Sequence, residues 1–392
     1  MTTEAEERGA RRAILLMGCI TTFAFALSAQ MLPAMLGPVA QSFGFDFAER
    51  GMLLGAMPLG YVISALFAGS LADRVGRRPI VVIGLLLGAL GLFLAASARL
   101  VVQLQAGIFL IGLSGGVTAA PLNALVSDVY ESWRGPALNI MQSFFNVGAV
   151  IGPAMVSVVF AARLSWRYGF GTGAATLVIS LLVTLWALRK AGSHEHAARA
   201  RSDERVPWPL VGVLACALGL YVGGELTFAY WSPNYLEETF GMPPDRAATV
   251  LSGFWLAMMA GRALYVWLIP RLGYLAPLLT SALLAALAGA GLTVAPTGRT
   301  AWALCCLVGF FLGGTWPTIM GYAGHRIRGK TGTVFGLIVA AGAVGSLIFP
   351  PTAGALAEAL DYGLRTVMAV GTCILIFEGL VILALRLRYG RE

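Results

Sequence analysis

Charge is what this sequence lacks most. Only 12% of its 392 residues are Asp, Glu, Lys or Arg, against roughly 25% in a soluble globular domain. With 58% of the residues hydrophobic, a water-soluble enzyme or a charged binding module is excluded. Histidine is scarcer still, with three in the whole chain and none inside an apolar run. That removes HExxH metal sites and Ser/His/Asp groupings. Cys19, Cys216, Cys305, Cys306 and Cys373 all fall within apolar runs, are odd in number and form no CxxC pair, so neither a disulfide framework nor a metal site is indicated. No GxxxxGK[ST] occurs, which argues against direct ATP drive. No cofactor is expected.

What the chain has instead is length in its apolar runs. Twelve of them, at 13–38, 50–71, 79–98, 101–126, 136–161, 167–188, 208–235, 247–269, 274–295, 300–322, 332–355 and 364–386, can each cross a bilayer as a helix. The first follows "RGARRA" and runs into a Pro-containing segment, so it is read as a spanning helix and not as a cleaved signal. The even number puts both termini on one side. Of the 27 Lys and Arg, 19 fall on the terminal side and 7 on the other, with Arg262 left inside a span. Positive-inside bias then places both termini in the cytoplasm, with the chain multi-pass in the plasma (inner) membrane. The net charge of +8 lies in these short links, which fits topology better than nucleic acid. The longest polar link follows the sixth run and divides the chain into an N-terminal bundle (1–188), a linker (189–207) and a C-terminal bundle (208–392). His194 and His196 lie in that linker and are read as solvated.

The two halves resemble one another. "RGPALNIMQSFFNVGAV" from Arg134 and "RGKTGTVFGLIVAAGAV" from Arg328 share their ends at the same spacing, and "RVGRRP" returns as "RLGYLAP". A repeat offset by six spans keeps its orientation in the membrane, so its symmetry axis runs along the membrane normal. The expected fold is an all-α membrane protein of twelve transmembrane helices in two pseudo-symmetric six-helix bundles.

One link is denser in charge than its surroundings: "GSLADRVGRRP", Gly69 to Pro79. Gly69 lets two helices approach, and Gly76 permits a tight turn. Asp73 stands where a carboxylate can accept from a neighbouring helix N-terminus. Arg77 and Arg78 sit near headgroups and acidic partners, with Asp128 the expected partner and Arg134 just beyond it. This stretch resembles the loop 2–3 signature of the major facilitator superfamily, Gly-x-Leu-Ala-Asp-Arg-x-Gly-Arg-Arg/Lys. The resemblance implies that Gly69, Asp73, Gly76, Arg77, Asp128 and Arg134 latch the two halves when the transporter faces outward. The plainer alternative is that the arginines only fix topology. In the second half Pro270 replaces the acid.

Polar residues inside the spans are the candidates for solute contact, because burying them is expensive. Glu225 lies in span 7, Arg262 in span 8 and Glu378 in span 12. Glu225 and Arg262, on adjacent spans, could equally form an ion pair holding those spans together. Glu378 is expected to snorkel or to pair locally. The uncharged candidates are Gln30, Asn123, the one-face pair Gln142 and Asn146, Asn234 with Trp231 beside it, Trp255 and Trp316. Amides satisfy hydroxyls from both sides and flat rings cover the C–H faces of a pyranose, although single polar groups also serve as helix–helix contacts. Pro33, Pro121, Pro153, Pro233, Pro317, Pro350 and Pro351 are expected to kink or break their spans.

"YVGGELTFAYWSPNYL", "LNIMQSFFNVGAVIGP", "MMAGRALYVWLIPRLG" and "WPTIMGYAGHRIRGKTGTVFG" are similar to segments of the fucose–galactose–glucose permease branch. That resemblance implies that Gln142, Asn146, Glu225, Asn234 and Arg262 face the cavity. Proton-coupled fucose permeases of this kind carry cavity carboxylates in spans 1 and 4, where this chain has Gln30 and Asn123. Glu225 is therefore the coupling candidate, with H+ or Na+ as the ion and facilitated diffusion also open. The expected partners are a small-molecule substrate, a sugar first, and the lipid bilayer; the expected unit is a monomer. The leading expectation is a secondary or facilitative transporter working by alternating access. A proton-coupled exporter of drugs or other lipophilic compounds, for which Met258 and Met259 would suit, and a membrane solute sensor are the alternatives.

Overall fold

The computed structural model describes residues 4–130, 134–190, 207–327, 331–360 and 362–389. Every regular element among them is an α-helix: α1 (Glu4–Ala29), α2 (Met31–Ala34), α3 (Leu36–Phe43), α4 (Phe47–Val75), α5 (Arg77–Ala96), α6 (Val101–Val129), α7 (Arg134–Ala161), α8 (Trp166–Lys190), α9 (Trp208–Phe240), α10 (Pro244–Leu272), α11 (Leu275–Thr293), α12 (Gly298–Leu312), α13 (Thr315–Arg326), α14 (Thr331–Leu360) and α15 (Leu364–Tyr389). Twelve stretches are long and apolar enough to cross a membrane. Lipid offers no hydrogen bonds to a backbone, so a spanning segment must satisfy its own, as a helix does. Large side chains such as Leu66, Phe67, Leu287 and Phe377 stand exposed on outward faces, where acyl chains rather than water would meet them.

Two spans depart from the sequence expectation of one helix each. The first is interrupted at Gln30 and again at Met35, and its continuation, α3, occupies residues expected in part as a link. The tenth is interrupted at Gly313 and Gly314, between α12 and α13. Of the expected prolines, Pro33 lies between the two interruptions of the first span and Pro317 just after the break in the tenth, while Pro121, Pro153, Pro233, Pro350 and Pro351 sit inside continuous helices. In a bundle, neighbouring groups re-satisfy the backbone that a proline frees.

The chain packs as two compact units. One takes the chain as far as Leu32 and resumes from Ala56 through α8; the other takes Pro33–Gly55 together with α9 onward. In the first unit α1 packs on α7 and α8, and α5 on α6 and α8. In the second, α9 packs on α14 and α15, and α11 on α12 and α15. The scheme is the same one, six spans later. It reaches down to single residues. A Cβ on Gly112 or Gly116 would overlap the backbone oxygen of Met57 or Tyr61; 197 positions on, Gly309 and Gly313 stand equally close to the backbone oxygens of Phe254 and Met258. Only glycine lets two helix backbones come this near. The repeated turn is conformational as well: Gly76 (φ 96°) precedes α5 and Gly273 (φ 71°) precedes α11, in a region that L side chains avoid.

Candidate functional site

The break in the tenth span sets up a polar centre in the second unit. Ending α12 at Leu312 frees carbonyls that lipid cannot satisfy. Side chains from two other helices reach them. Arg262 of α10 donates from Nε to the Gly313 carbonyl at 3.0 Å. The Ser281 hydroxyl of α11 donates to the Phe311 carbonyl and lies 3.3 Å from the Thr315 hydroxyl. Thr318 closes the restart by donating to the Gly314 carbonyl at 2.6 Å. Tyr265, whose ring fills the place a Cβ on Gly314 would take, donates its hydroxyl to the Pro277 carbonyl at 3.1 Å.

Two carboxyl groups stand beside this centre. Glu225, near the middle of α9, is 7% exposed. Tyr221, one turn earlier, brings its hydroxyl toward the Glu225 carboxyl, and the Arg262 guanidinium lies within electrostatic reach. Glu225 and Arg262 form no direct ion pair; the guanidinium is held by the broken helix instead. Glu378, near the middle of α15, is 0% exposed. It lies within electrostatic reach of Glu225, and neither of its carboxyl oxygens has a hydrogen-bond partner. The expectation that Glu378 snorkels or pairs locally is therefore corrected. Glu378 is fully buried in the middle of α15, a helix that packs on α9 and α11.

The other sequence candidates divide between the units. In the first unit Gln30 is buried at the break between α1 and α2, Asn123 is half-buried on α6, and α7 carries an exposed Gln142 one turn before a buried Asn146. In the second unit Trp231 is fully buried and donates Nε1–H to the Pro350 carbonyl at 3.0 Å. Trp255 is buried edge-on to Phe254, with centroids 5.6 Å apart. Trp316 is 38% exposed. Asn234 is fully buried with its amide engaged on both sides: Arg50 donates to its Oδ1 at 2.9 Å, and its Nδ2 donates to Glu238 at 3.1 Å. Arg50 also pairs with Glu238, donates to the Phe45 carbonyl at 3.2 Å and lies over the Phe47 ring. This cluster docks residues 33–55 onto the end of α9.

In the first unit Arg77 donates to Asp128 as an ion pair, at the turn that Gly76 makes. The side chains of Gly69, Asp73 and Arg134 lie outside the described residues, as do His194 and His196.

Sequence reasoning missed Tyr221, Tyr265, Ser281, Thr315 and Arg50. Two signals were available. Tyr221 precedes Glu225 by four residues, one helical turn. "GGTWP" places paired glycines before a proline, and that punctuation marks a helix end. Arg50 gives no local signal, because its partners lie far along the chain.

Comparison with known proteins follows the architecture. The profile of the Major Facilitator Superfamily matches residues 18–350 and also 213–391. Protein TsgA of Escherichia coli O1:K1 / APEC is 23% identical over 330 residues, which cover 83% of this chain and 82% of that protein. A TsgA homolog of Yersinia enterocolitica (serotype O:8 / biotype 1B) is 23% identical over 247 residues, 62% of this chain; the match spans 63% of that relative, less than two thirds of its length. Among solved structures, a mutant of the nucleoside transporter NupG aligns with a TM-score of 0.79 at 14% identity, covering 95% of this chain and 99% of that one. A variant of the E. coli fucose:proton symporter FucP aligns with a TM-score of 0.63 at 20% identity, covering 94% and 98%. At these identities the structural likeness concerns the fold.

Proposed function

The chain belongs to the Major Facilitator Superfamily and is a multi-pass membrane transporter, not an enzyme; from that premise we propose that its cargo is a small neutral solute rich in hydroxyl groups, a monosaccharide first. The observation that carries this reading is the polar face of α7, where Gln142 is exposed and Asn146 follows one turn later. A primary amide both donates and accepts, as a hydroxyl does, and brings no charge that a neutral solute would have to balance. Two proteins sharing the fold are named as carriers of fucose and of nucleosides, and both of those solutes present sugar hydroxyls.

The solute binds near the membrane midplane and is released by alternating access, as parallel-repeat transporters work. Both termini face the cytoplasm of an inner-membrane protein, on the arginine bias. Gln142, Asn146, Gln30 and Asn123 supply hydrogen bonds from the first half. Arg77 with Asp128 forms part of a cytoplasmic latch. Coupling is to protons, with Glu225 as the first acceptor.

Ligand-induced thermal stabilisation of the purified protein tests the substrate class. A panel of fucose, glucose, galactose and a nucleoside should contain at least one solute that raises Tm, and Gln142→Ala or Asn146→Ala should remove that shift without lowering the unliganded Tm. A panel without any shift, or one unaffected by either substitution, rejects the assignment.

A further inference from the structure

The first half of the chain is an internal control for the second. At the 197-residue offset that relates Gly112 and Gly116 to Gly309 and Gly313, Glu225 corresponds to Ser28, Arg262 to Ala65, Tyr265 to Ala68 and Ser281 to Gly84; in the last span the buried positions of α8 recur in α15 at an offset of 198, which sets Glu378 against Ser180. The first half repeats the packing of α9 on α14 and α15 and of α11 on α12 and α15 with no ionisable group at any of these positions, and its fourth span, α6, runs unbroken. The bundle as such therefore does not require this polar centre. Arg262 and Ser281 have a structural task in it, since they satisfy the broken tenth span. Glu378 has none: it is fully buried and both its oxygens are without a hydrogen-bond partner. An ionised carboxylate in that position would have lost its water and gained nothing in return.

The groups around Glu378 narrow what it can do. Glu378 lies within electrostatic reach of Glu225 and Tyr221 on α9 and of Tyr265 on α10, and Arg262 lies within reach of Glu225. Helix α11 has no ionisable residue. The one acid in α14, Glu358, accepts from the Phe47 amide at 3.2 Å. The arginines of α15 itself lie at its ends. The centre thus holds two carboxyl groups and one guanidinium. With no proton bound it carries an excess negative charge; with two, the guanidinium is left uncompensated. With one, the charges balance.

We propose that Glu225 and Glu378 form a buried carboxyl pair that binds one proton, and that this pair is the proton-coupling site of the second half. A proton from water comes to rest on the Glu378 carboxyl, which no donor reaches, and Glu225 stays ionised beside the Tyr221 hydroxyl and the Arg262 guanidinium. Release reverses the step, and no other bond changes. Only the coupling role rests on the reading of the chain as a proton-coupled carrier; the proton binding does not.

Infrared difference spectroscopy of the full chain in lipid, titrated between acid and alkaline pH, reads the pair without any solute. Wild type should show a protonated-carboxyl band from a buried environment. Glu378→Gln, which keeps shape and removes the acid, should lose it and take up about one proton fewer per chain over the titration. Glu378→Ser, which installs the residue found at the related position of the first half, should do the same and provides a second variant. Glu225→Gln should shift or remove the same band. Absence of such a band from wild type, or its survival unchanged in both Glu378 variants, overturns the proposal. In proteoliposomes, Glu378→Gln should still exchange solute but lose its acceleration by an imposed proton gradient; retention of that acceleration overturns the coupling role. A wild type that shows the band but carries none of the neutral solutes leaves the proton site standing and rejects the substrate assignment.

Discussion

Arg262 donates from Nε to the Gly313 carbonyl, so its guanidinium is anchored to backbone while its charge still acts on Glu225. Removing the side chain leaves a carbonyl in an apolar interior with no donor, and an unsatisfied buried group costs about 1–3 kcal/mol. Arg262→Ala should accordingly lower stability by about that amount, read as thermal unfolding in detergent or lipid; an unchanged unfolding temperature would mean that another donor caps the break. Single residues are also where the sequence was least legible. Asn234 reads as a cavity amide because a polar group inside an apolar span invites that interpretation. The structure surrounds it with Arg50 and Glu238, and the contact with Arg50 depends on a fold that brings residue 50 to residue 234. Glu378 was visible as an acid in a span, but only packing reveals that no donor reaches it. Glu225 and Arg262 were legible for the opposite reason: adjacent spans made their proximity predictable.

At the scale of helices, two features invite direct tests. The first is close approach at Gly313, where a Cβ would meet the Met258 backbone oxygen. Gly313→Ala should destabilise by about 1–3 kcal/mol, the usual cost of overpacking. Gly171→Ala, in α8 with open space around its Cα, should be neutral or slightly stabilising because alanine favours a helix. Equal effects of the two substitutions on thermal unfolding would contradict the packing. The second is the docking of residues 33–55 on α9 through Arg50, Asn234 and Glu238. Arg50→Ala should speed amide hydrogen exchange in residues 36–50 while leaving α5 and α6 unchanged; uniform exchange across all three would show that the arginine does not hold the segment. Hydropathy located the spans well, since a run of apolar residues survives a break of two glycines. It was blind to the breaks for the same reason, although Pro33 and Pro317 stand beside them.

For the molecule as a whole, the repeat was legible in short strings such as Arg-Gly…Gly-Ala-Val, and the glycine contacts of α6 recur in α12. Repetition also makes the asymmetry informative. Gln30, Asn123, Gln142 and Asn146 lie in the first unit, and the ionisable centre lies in the second. The proposed function assigns recognition of solute chiefly to the first half and binding of the driving ion chiefly to the second. Uptake of a labelled neutral sugar into proteoliposomes under an imposed inward proton gradient tests that division most directly. The account predicts saturable uptake that the gradient accelerates in wild type, with apparent affinity weakened by Gln142→Ala and gradient response abolished by Glu225→Gln. Uptake that Glu225→Gln leaves fully responsive to the gradient, or transport confined to lipophilic dyes, would contradict it.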